Sequence, residues 1–287
     1  MAARWRKVSD RFAWIFIIGS AFAAFWAFAI EPDRLVVRQV DLPLPGWPAE
    51  YRPLRIAMIS ALHIGAPFMS LEKIGEVVSA INREKPDVVV LLGDYLPGVV
   101  GDEFIAPEQF ARSLANFNAT VGVYGVLGIH DWWLDGPRVS RALQAAGIEM
   151  VDNLAVKVER PGGAFWVVGI GDYDRGNPDI PGTMVQLTDD APVLFVTHNP
   201  DIFPGVTSRI ALTLAGHTHG GQVRLPLVGR PVIPSQYGQR FAYGHIIEDG
   251  KHLFVTSGLG TSILPMRFSV PPEIVILNLR SADAPTP

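Results

Sequence analysis

Two histidines placed two residues apart give the strongest chemical signal in this sequence. His217 and His219 lie in the segment 214–222 (LAGHTHGGQ), which follows an apolar run typical of a buried strand. Residues at i and i+2 of an extended segment point the same way, so both imidazoles can face one site. Read alone, the pair would more often be polar loop histidines. The rest of the chain decides between these two interpretations.

Four other apolar runs also end in side chains that bind metals. The runs at 54–60, 87–92, 121–127 and 192–197 are followed by His63, by Asp94, by His130 with Asp131, and by His198. Short apolar runs bounded by turn residues are typical of strands buried on both faces, and ligands gather where such strands end. Of the seven histidines, only His245 and His252 fall elsewhere. The pattern therefore predicts a metal centre with imidazole and carboxylate ligands.

The order of these segments resembles the calcineurin-like metallophosphoesterase superfamily. Its pattern reads Asp-x-His, Gly-Asp, Gly-Asn-His-Asp, His and Gly-His-x-His, and the likeness runs from about residue 50 to 280. Segments 256–262 and 271–274 also resemble its membrane-associated bacterial branch, the phosphodiesterases of the YaeI/YkuE type. The resemblance implies an α/β fold in which two packed mixed β-sheets are flanked by helices. This is a four-layer α/β/β/α sandwich with the metal centre at one edge.

The resemblance also implies a role for each metal ligand. Asp94 would bridge two divalent cations, with His63 and His219 at one and His198 and His217 at the other. Two neighbouring cations activate a water molecule and clamp the phosphoryl oxygens of a phosphoester substrate. Histidine and carboxylate ligands accept manganese, zinc and iron alike, so the identity of the metal stays open.

His130 matches the family histidine that contacts the phosphate, and the resemblance implies that it protonates the leaving group. Imidazole is well suited to proton exchange near neutral pH, and Asp131 would orient the ring through its other nitrogen. A loop His-Asp pair that caps the next helix is the simpler alternative. Trp132 and Trp133 are expected to pack, with a substrate-edge or membrane-facing role as the alternative. Three further carboxylates are expected to be solvated in a polar loop: Asp172, Asp174 and Asp179.

Two positions depart from the family pattern. Ala61 stands where the family has the first Asp of Asp-x-His, and Ile129 stands where it has the Asn of Gly-Asn-His-Asp. Neither side chain can bind a metal, so each cation keeps two imidazoles and a share of one carboxylate, a set still used with water by catalytic zinc sites. Two hypotheses follow: a phosphoesterase impaired at these positions, or a degenerate relative that binds a phosphorylated ligand or partner without efficient turnover.

The N-terminal segment predicts a membrane anchor. Residues 12–30 carry no charge and are long enough for one crossing, and residues 1–11 contain four basic side chains. The positive-inside rule then places the N-terminus in the cytoplasm and the domain outside a bacterial inner (plasma) membrane. A signal peptide cleaved after Ala29, followed by secretion, is the alternative. A tethered site suggests a lipid-linked or envelope phosphoester as the substrate.

Composition sets further limits on chemistry and partners. The absence of cysteine excludes thiolate sites and disulfides, and a net charge of −4 without a basic patch argues against nucleic acid as a partner. The oligomeric state is not fixed by the sequence. Residues 31–52, with four prolines, predict a stalk that joins the sheet edge, and 281–287 predict a disordered tail. One domain is expected over 53–280, with helices at 71–84 and 139–146 and a strand-rich second half.

Overall fold

The structure, a computed structural model, describes residues 2–98 and 101–283 of the chain. Two six-stranded sheets stack face to face, and helices cover their outer faces. This confirms the predicted four-layer architecture with one N-terminal apolar helix. Of the predicted tail, Ser281 still belongs to the last strand, and residues 284–287 lie outside the described range.

The first sheet contains the strands that carry three of the predicted site loops. Its strands are β1 (Val36–Leu44), β2 (Leu54–Ile59), β3 (Val88–Leu92), β4 (Gly122–Val126), β5 (Glu149–Met150) and β12 (Glu273–Ser281). They lie in the order β1-β12-β2-β3-β4-β5, and only the β12–β2 pairing is antiparallel. Because both faces of this sheet are covered, its central strands read as nearly continuous apolar runs.

The second sheet carries the remaining site loops. Its strands are β6 (Leu154–Val158), β7 (Phe165–Gly169), β8 (Val193–Val196), β9 (Leu212–Ala215), β10 (Gly244–Glu248) and β11 (Lys251–Val255). The order is β10-β11-β9-β8-β7-β6, with a parallel centre and an antiparallel strand at each edge. The prediction of a strand-rich second half is therefore correct.

Six α-helices complete the described fold. They are α1 (Ala2–Phe25), α2 (Leu71–Arg83), α3 (Pro107–Leu114), α4 (Ile129–Leu134), α5 (Gly136–Ala145) and α6 (Ile180–Met184). Helices α2 and α5 match the two predicted helices, and α2 begins where the Ser70 hydroxyl accepts the Lys73 N–H. Helix α3 was not predicted from the sequence because it is short. Its residues Phe110 and Leu114 are nevertheless fully buried against the first sheet.

The core alternates along each central strand. On β3, Val89 and Leu91 contact the helices, while Val88 and Val90 point into the layer between the two sheets. Successive side chains of a strand face opposite sides, so one apolar run supplies two layers of the core. The strands are thereby fixed in register, and the loops at their carboxyl ends are held in place.

The segment 31–52, predicted as a stalk, is part of the folded domain. Strand β1 pairs with β12 from Val36 to Leu44, and Leu44 and Trp47 are buried between the sheets. The sequence correctly indicated a strand joining the sheet edge. The rest of the segment is not a flexible linker, because Trp47 is buried in the core and this burial removes a large apolar surface from water.

The loop 256–272, between β11 and β12, joins the N-terminal helix to the domain. Within it the Arg267 N–H donates to the Ala27 carbonyl at 2.9 Å, and the Ser269 N–H donates to Glu31 Oε2 at 2.9 Å. The guanidinium of Arg267 is fully buried and donates to four backbone carbonyls, those of Ser257, Gly258, Gly260 and Val270. This one side chain organises the loop that holds the end of the helix.

Replacing Arg267 with methionine is expected to lower the free energy of unfolding by about 3–5 kcal/mol, because four buried carbonyls lose their donor and the nearby Glu273 and Glu31 lose a neighbouring positive charge. Urea unfolding of the full chain in detergent, followed by circular dichroism, measures this change. The control Arg112→Met, on the exposed face of α3, should stay within about 0.5 kcal/mol. Equal effects of the two substitutions would contradict the role given to Arg267.

Candidate metal centre

Five loops meet at one edge of the sandwich and bring the predicted site residues together. The loops follow β2, β3, β4, β8 and β9, and they carry His63, Asp94, His130, His198, and His217 with His219. Asp94 belongs to two groups, one with His63 and His130 and one with His198 and His217. Within each group the possible ligand atoms lie within 4.8 Å of one another. A single carboxylate is therefore shared by two clusters of imidazoles.

The rings of His63 and His219 form the first pair. Their Nε2 atoms lie 3.2 Å apart, while their Nδ1 atoms face the carbonyls of Leu96 and Gly260 at 3.0 and 3.3 Å. A carbonyl only accepts hydrogen bonds, so in the neutral rings each Nδ1 carries the proton and each Nε2 presents a lone pair. Two facing lone pairs repel unless a cation lies between them. Zinc–nitrogen bonds of about 2.0–2.1 Å in a tetrahedral site put neighbouring nitrogens about 3.3 Å apart, so the spacing fits a divalent cation.

His198 and His217 form the second pair. His198 Nε2 lies 3.1 Å from His217 Nδ1 and 3.2 Å from Asp94 Oδ2, and the His198 Nδ1 contacts the Leu92 carbonyl at 2.6 Å. The same Asp94 Oδ2 is 3.8 Å from His63 Nε2. One carboxylate oxygen thus faces both pairs, as a bridging ligand requires.

Burial controls the protonation of these rings. It lowers the pKa of His63 to about 4 and of His217 to about 3, and it holds the pKa of His219 well below its usual value. Burial alone would raise the pKa of Asp94, but the charge of His198 and its hydrogen bond to the carboxylate more than offset this effect and keep Asp94 ionised. Burial also acts to lower the pKa of His198, yet the Asp94 and Asp172 carboxylates raise it to about 9. A cation that binds His198 must therefore displace a proton.

The backbone around Asp94 is unusually close to the next loop. A Cβ at Gly93 would lie 2.5 Å from the Gly128 nitrogen, and a Cβ at Gly128 would lie 2.3 Å from Asp94 Oδ1. Only glycine allows this approach, which lets the His130 N–H donate to Asp94 Oδ1 at 2.9 Å. Asp94 itself has φ 57°, a left-handed conformation that aspartate tolerates better than most residues.

Asp131 does not orient the His130 ring, contrary to the expectation from the sequence. Its two oxygens accept four backbone N–H groups at 2.9–3.0 Å, those of Asp94, Tyr95, Leu96 and Gly128. The reason is local, because α4 begins at Ile129 and directs the third residue of its first turn back toward the helix start. Burial and the Asp94 charge raise the pKa of Asp131 to about 7. Asp131 therefore caps helix α4, as the alternative interpretation predicted, and it links the loop after β3 to the loop after β4.

His130 lies at the edge of a cavity of about 340 Å³. The cavity is lined by Pro97, Gly98, Asp102, Phe104, His130, Trp133 and Leu134. The His130 ring centroid is 4.9 Å from that of His63 and 4.7 Å from that of Trp133. Trp133 is 55% exposed at this edge, whereas Trp132 packs against the core under the helices. Trp132 therefore packs in the core, as expected, whereas Trp133 lies at the edge of the cavity, as the alternative for these tryptophans proposed.

The two positions that depart from the family pattern, Ala61 and Ile129, carry side chains without a ligand atom. Ala61 is buried in a left-handed conformation with φ 49°, and Ile129 is the first residue of α4. Over the described ranges, neither of the two ligand groups includes a carboxylate other than Asp94.

Asp172 differs from the prediction of a solvated carboxylate. It is fully buried, its Oδ1 accepts the N–H groups of Asp174 and Arg175, and its Oδ2 has no hydrogen-bond partner within the described residues. Burial raises its pKa, and its charge acts on His198. It follows a buried strand, β7, as the predicted ligands follow theirs. This position at the end of a buried strand is the signal in the sequence that distinguishes Asp172 from the other carboxylates of its loop.

Comparison with known proteins adds to this geometry. Residues 54–221 match the family described as calcineurin-like phosphoesterase. The chain is 30% identical over 261 residues to the uncharacterized metallophosphoesterase YkuE of Bacillus subtilis (strain 168), covering 90% of each protein. It is 30% identical over 231 residues to the phosphodiesterase YaeI of Escherichia coli (strain K12), covering 79% of this chain and 82% of that protein. A transmembrane protein with metallophosphoesterase domain from Danio rerio is 28% identical over 268 residues, 88% of this chain and 59% of the zebrafish protein.

The family match covers more than half of the chain, and the loops that it spans carry all five predicted metal ligands. Family, fold and the arrangement of side chains agree with one another. The chain belongs to the calcineurin-like phosphoesterase family.

Proposed function

We propose that this protein is a membrane-tethered, metal-dependent phosphodiesterase. The observation that carries the proposal is the Asp94 carboxylate, one oxygen of which faces both imidazole pairs. Asp94 would bridge two sites, with His63 and His219 at the first and His198 and His217 at the second. The metals are divalent cations of the manganese, zinc or iron type, which such ligands accept.

The residues around this centre have separate tasks. Divalent cations supply, when bound, Lewis acidity toward a water molecule and positive charge opposite the phosphoryl oxygens. His130 lies between the first imidazole pair and the cavity, so it is placed to give a proton to the oxygen of the leaving group. The cavity beside Trp133 receives that group. Asp131 acts on the reaction only by holding the backbone of both loops.

The membrane tether is supported by the N-terminal helix. The segment Phe12–Asp33 has mean hydropathy 2.1 and 6% of its apolar window is buried, which suits a bilayer crossing; a signal sequence shares these properties. Docking of the helix end favours an uncleaved anchor, because cleavage after Ala29 would remove Ala27 and its bond to Arg267. The basic N-terminus then places the domain on the outer side of a bacterial inner membrane, where a lipid-linked phosphoester is within reach.

A second candidate function follows from Ala61 and Ile129. With one carboxylate for two cations, the protein would bind a phosphorylated ligand or partner and turn it over poorly. The two functions differ in rate rather than in binding, so cation content and hydrolysis must be measured on the same sample.

The full chain in detergent, supplied with manganese, zinc or iron, is expected to bind one or two cations and to hydrolyse bis(4-nitrophenyl) phosphate. Asp94→Asn should lower both cation content and rate by at least about 10–100-fold, since it removes the shared negative charge. Elemental analysis and the release of nitrophenol measure the two quantities. The exposed control Asp190→Asn should change neither. Bound cations without hydrolysis would favour the second function, and no bound cation in the parent would reject the metal centre.

Ala61→Asp combined with Ile129→Asn is expected to raise cation affinity and rate by at least about tenfold, the scale of lost metal-site contacts. Aspartate also adopts the left-handed conformation of residue 61 more readily than alanine does. Cation titration and the phosphodiester assay test both effects. Ala145→Asp, at the exposed end of α5, serves as the control for added charge. If neither quantity rises, positions 61 and 129 do not face the cations.

Asp172→Asn is expected to weaken cation binding roughly tenfold, because it removes a buried negative charge that lies close enough to the centre to act on His198 and Asp94 and would attract a cation there. Asparagine keeps the Oδ1 that accepts the Asp174 and Arg175 N–H groups, so the loop should stay folded. Calorimetric titration measures affinity, and the rate at saturating cation should remain near that of the parent. Affinity as high as in Asp190→Asn would show that Asp172 does not influence the centre.

A further inference from the structure

We propose that the domain contacts the bilayer through a second surface besides α1, formed by six exposed aliphatic side chains on two neighbouring loops. These residues, called here the apolar rim, are Leu225, Leu227, Val228, Val232, Ile263 and Leu264. The occupant of this surface is the lipid bilayer in which α1 is embedded. The inference rests on the proposed anchorage and extends it from the helix to the domain.

The exposure of the rim is the first observation. Each of its side chains is more than a third exposed, and Leu227 is fully exposed. Single exposed aliphatic residues are ordinary on a protein surface, but a cluster of this kind marks a contact with another apolar phase. The loops that carry these residues are held in place by hydrogen bonds of the backbone and of the Gln222 side chain, not by packing of the exposed aliphatic side chains.

Those hydrogen bonds join the two loops to each other. The Gln222 side-chain amide donates to the carbonyls of Leu264 and Met266 at 3.3 Å and accepts the N–H of Ser262. The Arg224 N–H donates to the Phe268 carbonyl at 2.8 Å. These hydrogen bonds hold the base of the loop 223–233 against the segment 262–268, so that both groups of exposed aliphatic residues belong to neighbouring loops.

The same surface is continuous with the end of the membrane helix. Arg267, three residues after Leu264, donates its N–H to the Ala27 carbonyl, and Ser269 donates to Glu31. Ala27 and Glu31 lie within the apolar segment Phe12–Asp33 and at its end. The rim is thus fixed close to the point where the chain leaves the bilayer, and the lipid that surrounds α1 is the nearest apolar phase.

Charge also favours lipid as the occupant. The stretches 220–247 and 252–272, which contain both loops, have no aspartate or glutamate, while Arg224 and Arg230 flank the aliphatic residues. Arginine beside aliphatic side chains suits the interface of an anionic membrane, where each basic residue near the surface contributes about 1 kcal/mol. A protein partner would more often be matched by charges of both signs.

This contact has a consequence for the metal centre. Gln222 lies three residues beyond His219 in the same turn, so a rim seated on lipid holds the centre at the level of the headgroups. The substrate class that fits is an amphiphile whose phosphoester reaches the centre while its apolar part stays in the bilayer. Soluble phosphodiesters would reach the same centre without using the rim.

The cysteine-free chain permits a direct test with single cysteines carrying a polarity-sensitive fluorophore. The full chain is reconstituted into vesicles of phosphatidylcholine and phosphatidylglycerol, with or without nitroxide-labelled lipid. Labels at Leu227→Cys and Ile263→Cys are expected to emit at a shorter wavelength than the free fluorophore in buffer. Nitroxide-labelled lipid is expected to quench most of their fluorescence. The matched control Val185→Cys, an exposed aliphatic position directly after α6, should stay unquenched.

A label at Phe16→Cys, within α1, separates the two possible failures. If Phe16 is quenched while Leu227 and Ile263 match Val185, the helix spans the bilayer and the rim proposal is overturned. If Phe16 is unquenched as well, the anchorage fails and the rim proposal fails with it. A further variant carries both Arg224→Gln and Arg230→Gln. If quenching at Leu227 and Ile263 disappears in this variant, anionic lipid contributes to the contact. If quenching persists, the contact is made by the aliphatic residues alone.

Discussion

The candidate metal centre depends on one buried, ionised carboxylate, Asp94, one oxygen of which faces both His63 and His198. Asp94 is almost fully buried, and the cost of burying its charge is offset by the neighbouring rings and by the His130 N–H. The rings in turn direct their second nitrogens at backbone carbonyls, which fixes the nitrogen that faces inward. Ligand orientation is thus set by the ends of the strands before any cation arrives, as precise metal sites need.

Holding Asp94 in place requires support that contributes no ligand. Asp131 ties four amides of two loops together, and Gly93 and Gly128 allow those loops to approach. These three residues of the sequence pattern therefore hold the backbone of the site and do not bind a metal themselves. This explains how the family geometry persists although Ala61 and Ile129 supply no metal ligand: the scaffold of the centre is formed by residues that are still present.

The metal centre and the N-terminal helix are connected through one loop. Ala27 accepts a hydrogen bond from Arg267, the Arg267 guanidinium donates to the Gly260 carbonyl, and His219 Nδ1 contacts that same carbonyl. A single buried arginine therefore lies between the N-terminal helix and His219, a predicted metal ligand. The position of the candidate site relative to the N-terminal helix is fixed by this loop and not by a flexible linker.

The sequence by itself determined the strand runs, the apolar N-terminal helix and the histidines and carboxylates that are candidates for metal ligands, because apolar periodicity and the residue types at strand ends are local properties. It missed the burial of Asp172, the short helix α3 and the partners of Asp131, since each depends on contacts between segments far apart in the chain. Local signals alone also suggested a stalk, where pairing with β12 forms a strand. Only the tertiary structure decided which nitrogens face each other, which carboxylate is shared and which loops lie beside the anchor, because these follow from the packing of two sheets rather than from any one segment.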